Sequence, residues 1–209
     1  MLKIYGRANS INVRKVLWLA DEIGLSYERD DWGRGYRPLS EPDFLAVNQL
    51  GLIPVIDDDG FILSESNVIT RYLAAKHGRT DLLPADPQRR ATVERWMDWQ
   101  LAELNGAFRP AFFGIFLKAQ VPGGEEAIQA SLRAWAAAMQ KVEEQLTKTG
   151  AYIAGKDFTV ADIPMGLSVN RWFATELPIE RPDLPATTAY YDRLSERPAF
   201  MAHGRNGLP

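Results

Sequence analysis

The sequence contains no cysteine and only two histidines, His77 and His203, in 209 residues. The first absence excludes a cysteine nucleophile, thiol–disulfide exchange, an iron–sulfur cluster and a Cys-ligated zinc. The second argues against a His-rich centre, and the expectation is no bound metal. A serine triad would have to draw on one of the two histidines. No G-x-S-x-G elbow is present, which disfavours a Ser-His-Asp hydrolase. Basic residues are not in surplus either: 24 Lys+Arg against 27 Asp+Glu leave a net charge of −3. That gives no footprint for a nucleic acid. No apolar run reaches the roughly 20 residues that cross a bilayer. The first ten residues lack the basic-then-apolar pattern of an export signal. Without disulfides or such a signal, a cytoplasmic location is expected, with no membrane partner.

What is present is ordinary for a folded chain: 46 % hydrophobic and 24 % charged residues. A chain of this length buries roughly 70 % of its unfolded surface and needs no staple. Residues 1–79 mix short β-like runs with helical ones. Leu2–Tyr5 reads as a strand and residues 11–24 as a helix with Val13, Val16, Leu17 and Ala20 on one face and Gly24 as its stop. Residues 26–31 read as a second strand, residues 42–48 as a short helix, and residues 54–57 and Phe61–Ser64 as a hairpin around Asp59-Gly60. Ser66–Lys76 closes this half as a helix. The order β-α-β-(α)-β-β-α implies a mixed sheet with a helical crossover.

Residues 80–87, TDLLPADP, read as a linker. Beyond it, residues 88–209 read as all-helical. Met97, Leu101, Leu104 and Phe108 are spaced as one helical stripe. Ile128, Leu132, Trp135, Met139, Val142 and Leu146 form a second and longer one. Core packing is the plain reading of both. Thr159 and Asp162 are expected to form a capping box, with Phe158 and Ile163 as its hydrophobic staple.

Four features carry chemistry. Ser10, in the run Asn9-Ser10-Ile11-Asn12, sits where a helix start favours an anion, or it simply caps that helix. Ile53-Pro54 places a proline at a strand entry. A cis bond there would leave the Ile53 N–H and C=O free for an extended peptide. Glu65-Ser66 pairs a carboxylate for an ammonium with a hydroxyl and N–H for a carboxylate, which suits an α-amino-acid zwitterion. Phe108, Phe112, Phe113 and Phe116 gather around Arg109-Pro110 and could line an apolar cavity.

With the linker position and the Thr159–Asp162 box, these features closely resemble the soluble glutathione S-transferases over essentially the whole chain. YGRANSINVRKVLW and SESNVITRYLA are similar to bacterial members of the serine-type, theta-like branch. The resemblance implies an N-terminal thioredoxin-like α/β domain (βαβαββα) over residues 1–79 that binds glutathione as co-substrate. It implies a helical domain over 88–209 that lines the electrophile pocket. It implies that Ser10, helped by Asn12, acts on the sulfur, that Ile53 and the cis-proline Pro54 hold the cysteinyl part, and that Glu65 and Ser66 hold the γ-glutamyl group. Phe108, Phe112, Phe113 and Trp172 are the expected electrophile contacts.

The implied activity is conjugation of glutathione to a hydrophobic electrophile in detoxification, by a homodimer presenting Arg95, Trp96 and Trp99 to its partner. A peroxidase, dehalogenase or isomerase on the same site, or a non-catalytic binding protein, stays open. Tyr5 is a rival to Ser10, because other branches carry a catalytic tyrosine in the first strand. Asn67 stands where many relatives have arginine.

Overall fold

The computed structural model describes residues 1–207. They fall into two compact units, residues 1–85 with the C-terminal segment from Arg197, and residues 86–196. The first unit runs β1 (Leu2–Tyr5), α1 (Ile11–Glu22), β2 (Tyr27–Asp30), α2 (Pro42–Val47), β3 (Val55–Asp58), β4 (Phe61–Ser64) and α3 (Ser66–Lys76). The sheet order is β2-β1-β3-β4. β1 pairs parallel with β2 and antiparallel with β3, and β3 pairs antiparallel with β4. This is the mixed sheet with a helical crossover that the element order implies.

Local chemistry explains the joints. Gly24 adopts φ +70°, the left-handed turn that stops α1. Asp59 and Gly60 have φ +52° and +94°. Two positive φ values are the signature of a two-residue hairpin turn whose twist matches its strands. Val13 through Ala20 of α1 are buried without a break. Sheet packing alone does not account for so wide a face: both α3 and α9 (Pro198–His203) pack on α1. Phe200 lies 4.8 Å from Trp18, Arg197 pairs with Glu22, and His203 Nε2 lies 2.6 Å from Asp21 Oδ2. The reading of 88–209 as one helical domain therefore differs from the observed division at its end. α9 is helical, but its apolar residue packs on α1. Residues 208 and 209 of that range lie outside those described.

The second unit runs α4 (Pro87–Trp99), a π-helical turn over Gln100–Leu104, α5 (Asn105–Ala111), a second π-helical turn over Phe112–Phe116, α6 (Gly124–Thr149), α7 (Asp162–Ala174) and α8 (Pro185–Ser195). Asp86 caps α4 by accepting from the Arg89 N–H at 2.9 Å. Along α6, Leu132, Trp135, Met139, Val142 and Leu146 are buried as the spacing predicts, while Ile128 at the head of the stripe is half-buried. Each such aliphatic side chain contributes roughly 1.5–3 kcal/mol.

The shorter stripe does not hold. Met97, Leu104 and Phe108 are buried, but Leu101 is 47 % exposed. The first π turn adds a residue to its cycle and shifts the phase. Gln100 is buried in its place, and its amide donates to Ser168 Oγ at 2.8 Å and Asn105 Oδ1 at 2.9 Å. Before the second π turn, Ser131 of α6 enters the ladder of α5. Its hydroxyl donates to the Ala107 carbonyl (2.6 Å) and accepts from the Ala111 N–H (3.0 Å).

The expected capping box forms by one half. The Asp162 carboxylate accepts from the Thr159 N–H at 2.8 Å, as predicted. The Thr159 hydroxyl donates to the same carboxylate at 3.1 Å instead of capping, and α7 begins at Asp162 itself. Phe158 and Ile163 are both buried.

Candidate functional site

One row across the sheet organises the candidate site. Tyr5 at the end of β1 stands in register with Asp30 at the end of β2 and with Val55 at the start of β3. Val55 in turn faces Ser64 at the end of β4. The segments that continue past this row therefore leave the sheet at one end: the loop carrying Ser10, the Ile53-Pro54 step and the Glu65-Ser66 pair.

Gly6 makes the first of these approaches possible. It has φ +138°, and its N–H donates to the Asp30 carbonyl at 2.8 Å. A Cβ at this position would lie 2.6 Å from Val13 Cγ2 and 3.1 Å from Ile53 Cβ. Any side chain would push the loop off α1 and away from Ile53. Beyond Gly6 the loop is held by Arg7 N–H to the Trp32 carbonyl (3.2 Å) and Ser10 N–H to the Arg7 carbonyl (3.1 Å).

Ser10 is the N-cap of α1, in extended backbone at φ −77° and ψ 126°. Its carbonyl accepts the first helical bond, from the Arg14 N–H at 2.9 Å. Its hydroxyl makes no capping bond, and the first turn of α1 carries no acidic side chain. The helix start is thus electropositive and its nearest hydroxyl is uncommitted. Ser10 itself is 8 % exposed, while Asn12 two positions on is exposed. Tyr5, the rival phenol, packs against the Trp32–Phe44–Val55 cluster and lies under the Lys3 ammonium, 4.7 Å from its ring centroid.

The Ile53–Pro54 bond is cis. The Ile53 side chain packs on the same cluster. Among the described residues its backbone N–H and C=O take no partner. Glu65 holds φ +71° and ψ 106° without being glycine. Such a conformation costs about 1–3 kcal/mol and persists where surroundings impose it, often at functional sites. It caps α3 through its carbonyl, which accepts from the Ile69 N–H at 2.8 Å, and leaves its carboxylate exposed. Ser66 is then the first residue of α3, and it is buried.

Two arginines that the sequence reading passed over make this end of the sheet more basic. Burial lowers the pKa of the Arg7 guanidinium, and the neighbouring Arg34 lowers it further, against an opposing effect of Tyr36. A Cβ on Gly33 would lie 3.4 Å from Arg7 Nη1, which puts Arg7 on the 32–37 loop. The signal available was a basic residue three positions before Ser10 and a second in a glycine-rich loop. Among the described residues no three His, Asp or Glu side chains gather to hold a metal.

The predicted electrophile contacts divide. Phe108, Phe112 and Phe113 form one chain of rings with Phe116. Trp172 is fully buried and packs edge-on against Trp135 at 5.2 Å, so it is part of the core of its unit.

Residues 1–75 match the family model for the glutathione S-transferase N-terminal domain, and residues 104–198 match that for the C-terminal domain. The chain is 37 % identical to glutathione S-transferase GstB of Escherichia coli over 202 residues, 95 % of each protein. It is 30 % identical to glutathione S-transferase 3 of Zea mays, over 96 % of this chain and 91 % of that one. Among solved structures, the theta class glutathione S-transferase of Xanthomonas axonopodis pv. citri with glutathione bound is similar at a TM-score of 0.87 and 37 % identity, covering 100 % of this chain and 99 % of that one. Glutathione transferase F7 of Populus trichocarpa gives a TM-score of 0.83 at 27 % identity, covering 99 % and 100 %. With both domains matched in chain order and a relative 37 % identical over 95 % of each protein, the chain belongs to the glutathione S-transferase family.

Proposed function

We propose that this transferase joins glutathione to an electrophilic carbon by direct displacement. The glutathione thiolate attacks, a C–S bond forms, and the leaving group departs with its bonding pair. The thiol proton has already passed to solvent. The observation that carries this reading is the in-register row Asp30–Tyr5–Val55–Ser64, which sends Ser10, Ile53 and Ser66 from one end of the sheet. In this reading the Ile53 N–H and C=O pair with the cysteinyl backbone beside Pro54. The Ser66 hydroxyl and N–H donate to the γ-glutamyl carboxylate, and Glu65 meets its ammonium. Ser10 donates to the sulfur, with Asn12 beside it. Arg7 and Arg34 favour the anionic tripeptide as a whole. The aromatic residues of the second unit take the electrophile.

We further assign the protein to the cytoplasm and to a two-fold homodimer. In support, among the described residues no helix is long and apolar enough to cross a membrane. Trp96 and Trp99 of α4 remain half-exposed, with the Arg95 guanidinium 5.2 Å from the Trp96 ring centroid.

The primary test is conjugation of glutathione to an aryl halide, together with retention on immobilised glutathione. Absence of both refutes the reading. Ser66→Ala removes one hydrogen bond to a charged group. It is expected to weaken glutathione binding roughly tenfold or more, with less change in the chemical step. Calorimetric affinities equal to wild type would take Ser66 out of the binding site.

A further inference from the structure

Residues 104–124 hold two cations, Arg109 and Lys118, and no carboxylate. The second π turn lies within them, and π turns inside α-helices recur at functional sites. Its wider cycle gathers three rings. Phe112 stacks on Phe116 at 5.1 Å and 24°, and it meets Phe113 edge-on at 6.2 Å and 86°. Gly114 lets the turn lie against α6, since a Cβ there would come within 2.4 Å of Ile128 Cδ1. Phe112 is buried, while Phe113 and Phe116 are each 39 % exposed, so the shelf opens to solvent at those two rings.

Two guanidinium groups flank that shelf. Arg171 of α7 is buried beneath it, 4.1 Å from the Phe112 centroid and 4.8 Å from that of Phe108. Arg109 is exposed, 5.8 Å from the Phe113 centroid. A flat ring can stack on exposed phenylalanine faces, and an electron-poor ring does so best over the electron-rich face. A carboxylate on that ring would find the Arg109 fork at the rim, where a charge-assisted pair can form. A neutral ligand gains the stacking alone.

We propose that the Phe112–Phe113–Phe116 shelf and Arg109 select electron-poor aromatic electrophiles that carry a carboxylate or similar anion. This rests on the transferase reading above for its catalytic meaning, but it can be tested apart from it. The probes are dinitrobenzoate and its methyl ester, which lack a halide leaving group. Binding to the full-length protein is read by quenching of tryptophan fluorescence, since Trp135 lies 5.3 Å from Phe108. Wild type is expected to prefer the anion over the ester. In Arg109→Gln that preference falls roughly tenfold, and Arg109→Lys restores part of it. Preference for the ester in wild type, or an unchanged preference in Arg109→Gln, overturns the inference whether or not the protein is catalytic. A parallel arm follows glutathione turnover of chlorodinitrobenzoate and its methyl ester. Failure of wild type to turn over either one counts against the transferase reading alone, because the binding arm still decides the selectivity.

Discussion

Replacing Ser10 with alanine is expected to return the bound glutathione thiol to near its solution pKa and to slow conjugation roughly tenfold at pH 7. A free thiol titrates near 8.5, so only about 3 % is thiolate at pH 7. Holding most of it ionised requires a fall of about two units, or about 2.7 kcal/mol. A hydrogen bond to a charged acceptor contributes about 1.5–3 kcal/mol, and a helix N-terminus about 0.3–1 kcal/mol. Together these suffice without a general base.

The geometry supplies both groups. The Ser10 hydroxyl makes no capping bond, and no acid in the first turn of α1 competes for the helix start. The thiol pKa is lowered in the complex, so the contribution of Ser10 exists only where the sulfur is ionised. Wild type and Ser10→Ala should therefore bind glutathione alike well below pH 6. They should diverge as pH rises, and the rate difference should shrink again above about 8.5, where the thiol ionises unaided. Titrating the thiolate absorbance of the two complexes decides the matter. Identical curves remove Ser10 from the mechanism and return attention to Asn12 and Tyr5.

The second large effect concerns stability. Asp162→Ala is expected to lower unfolding stability by roughly 3 kcal/mol or more, or a Tm fall of roughly 10 °C. The Asp162 carboxylate is buried and accepts from four donors. These are the Ile153 N–H (2.9 Å), the Thr159 N–H (2.8 Å), the Thr159 hydroxyl (3.1 Å) and the Tyr190 hydroxyl (3.0 Å). Truncation orphans all four in a water-free site.

The same carboxylate imposes a pH dependence. Burial disfavours its charge more than the donors favour it, and its pKa is raised from the ordinary 3.8 to about 6. Because the folded value lies above the unfolded one, the native state binds the extra proton. The stabilising contribution is complete below about 3.8 and is lost as pH rises through about 6. At full effect this amounts to about 3 kcal/mol, and side-chain relaxation reduces it. Asp162→Asn removes the titration. The stability of wild type relative to Asp162→Asn should thus decline between pH 4 and 6 and stay level above. Denaturant midpoints across that range measure it, and a difference independent of pH would contradict the assignment.

Much of the fold was legible in residue order. β1, β4, α3 and the long stripe of α6 follow from alternation and helical spacing, and the end of α1 from the stop at Gly24, all of which are local. Asp59-Gly60 specified its turn through the φ values that those residues tolerate. The π turns were not legible, because one extra residue per cycle leaves composition unchanged while it turns Leu101 outward and Gln100 inward. The attachment of α9 to α1 was equally hidden, since nothing near Phe200 names Trp18 as its partner.

The site divides along the same line. Spacing and residue type placed Ser10 at a helix start, Pro54 at a strand entry and Glu65-Ser66 before a helix. Whether the Ser10 hydroxyl would serve its own helix, whether Ile53–Pro54 would be cis, and how Arg7 would meet the 32–37 loop depended on contacts between distant segments. Side-chain periodicity reports which face of one element is buried. Bringing Ser10, Ile53 and Ser66 to one end of the sheet depends on the register of strands far apart in the chain, with Leu2 opposite Asp58, set by backbone hydrogen bonds and by the close approach at Gly6.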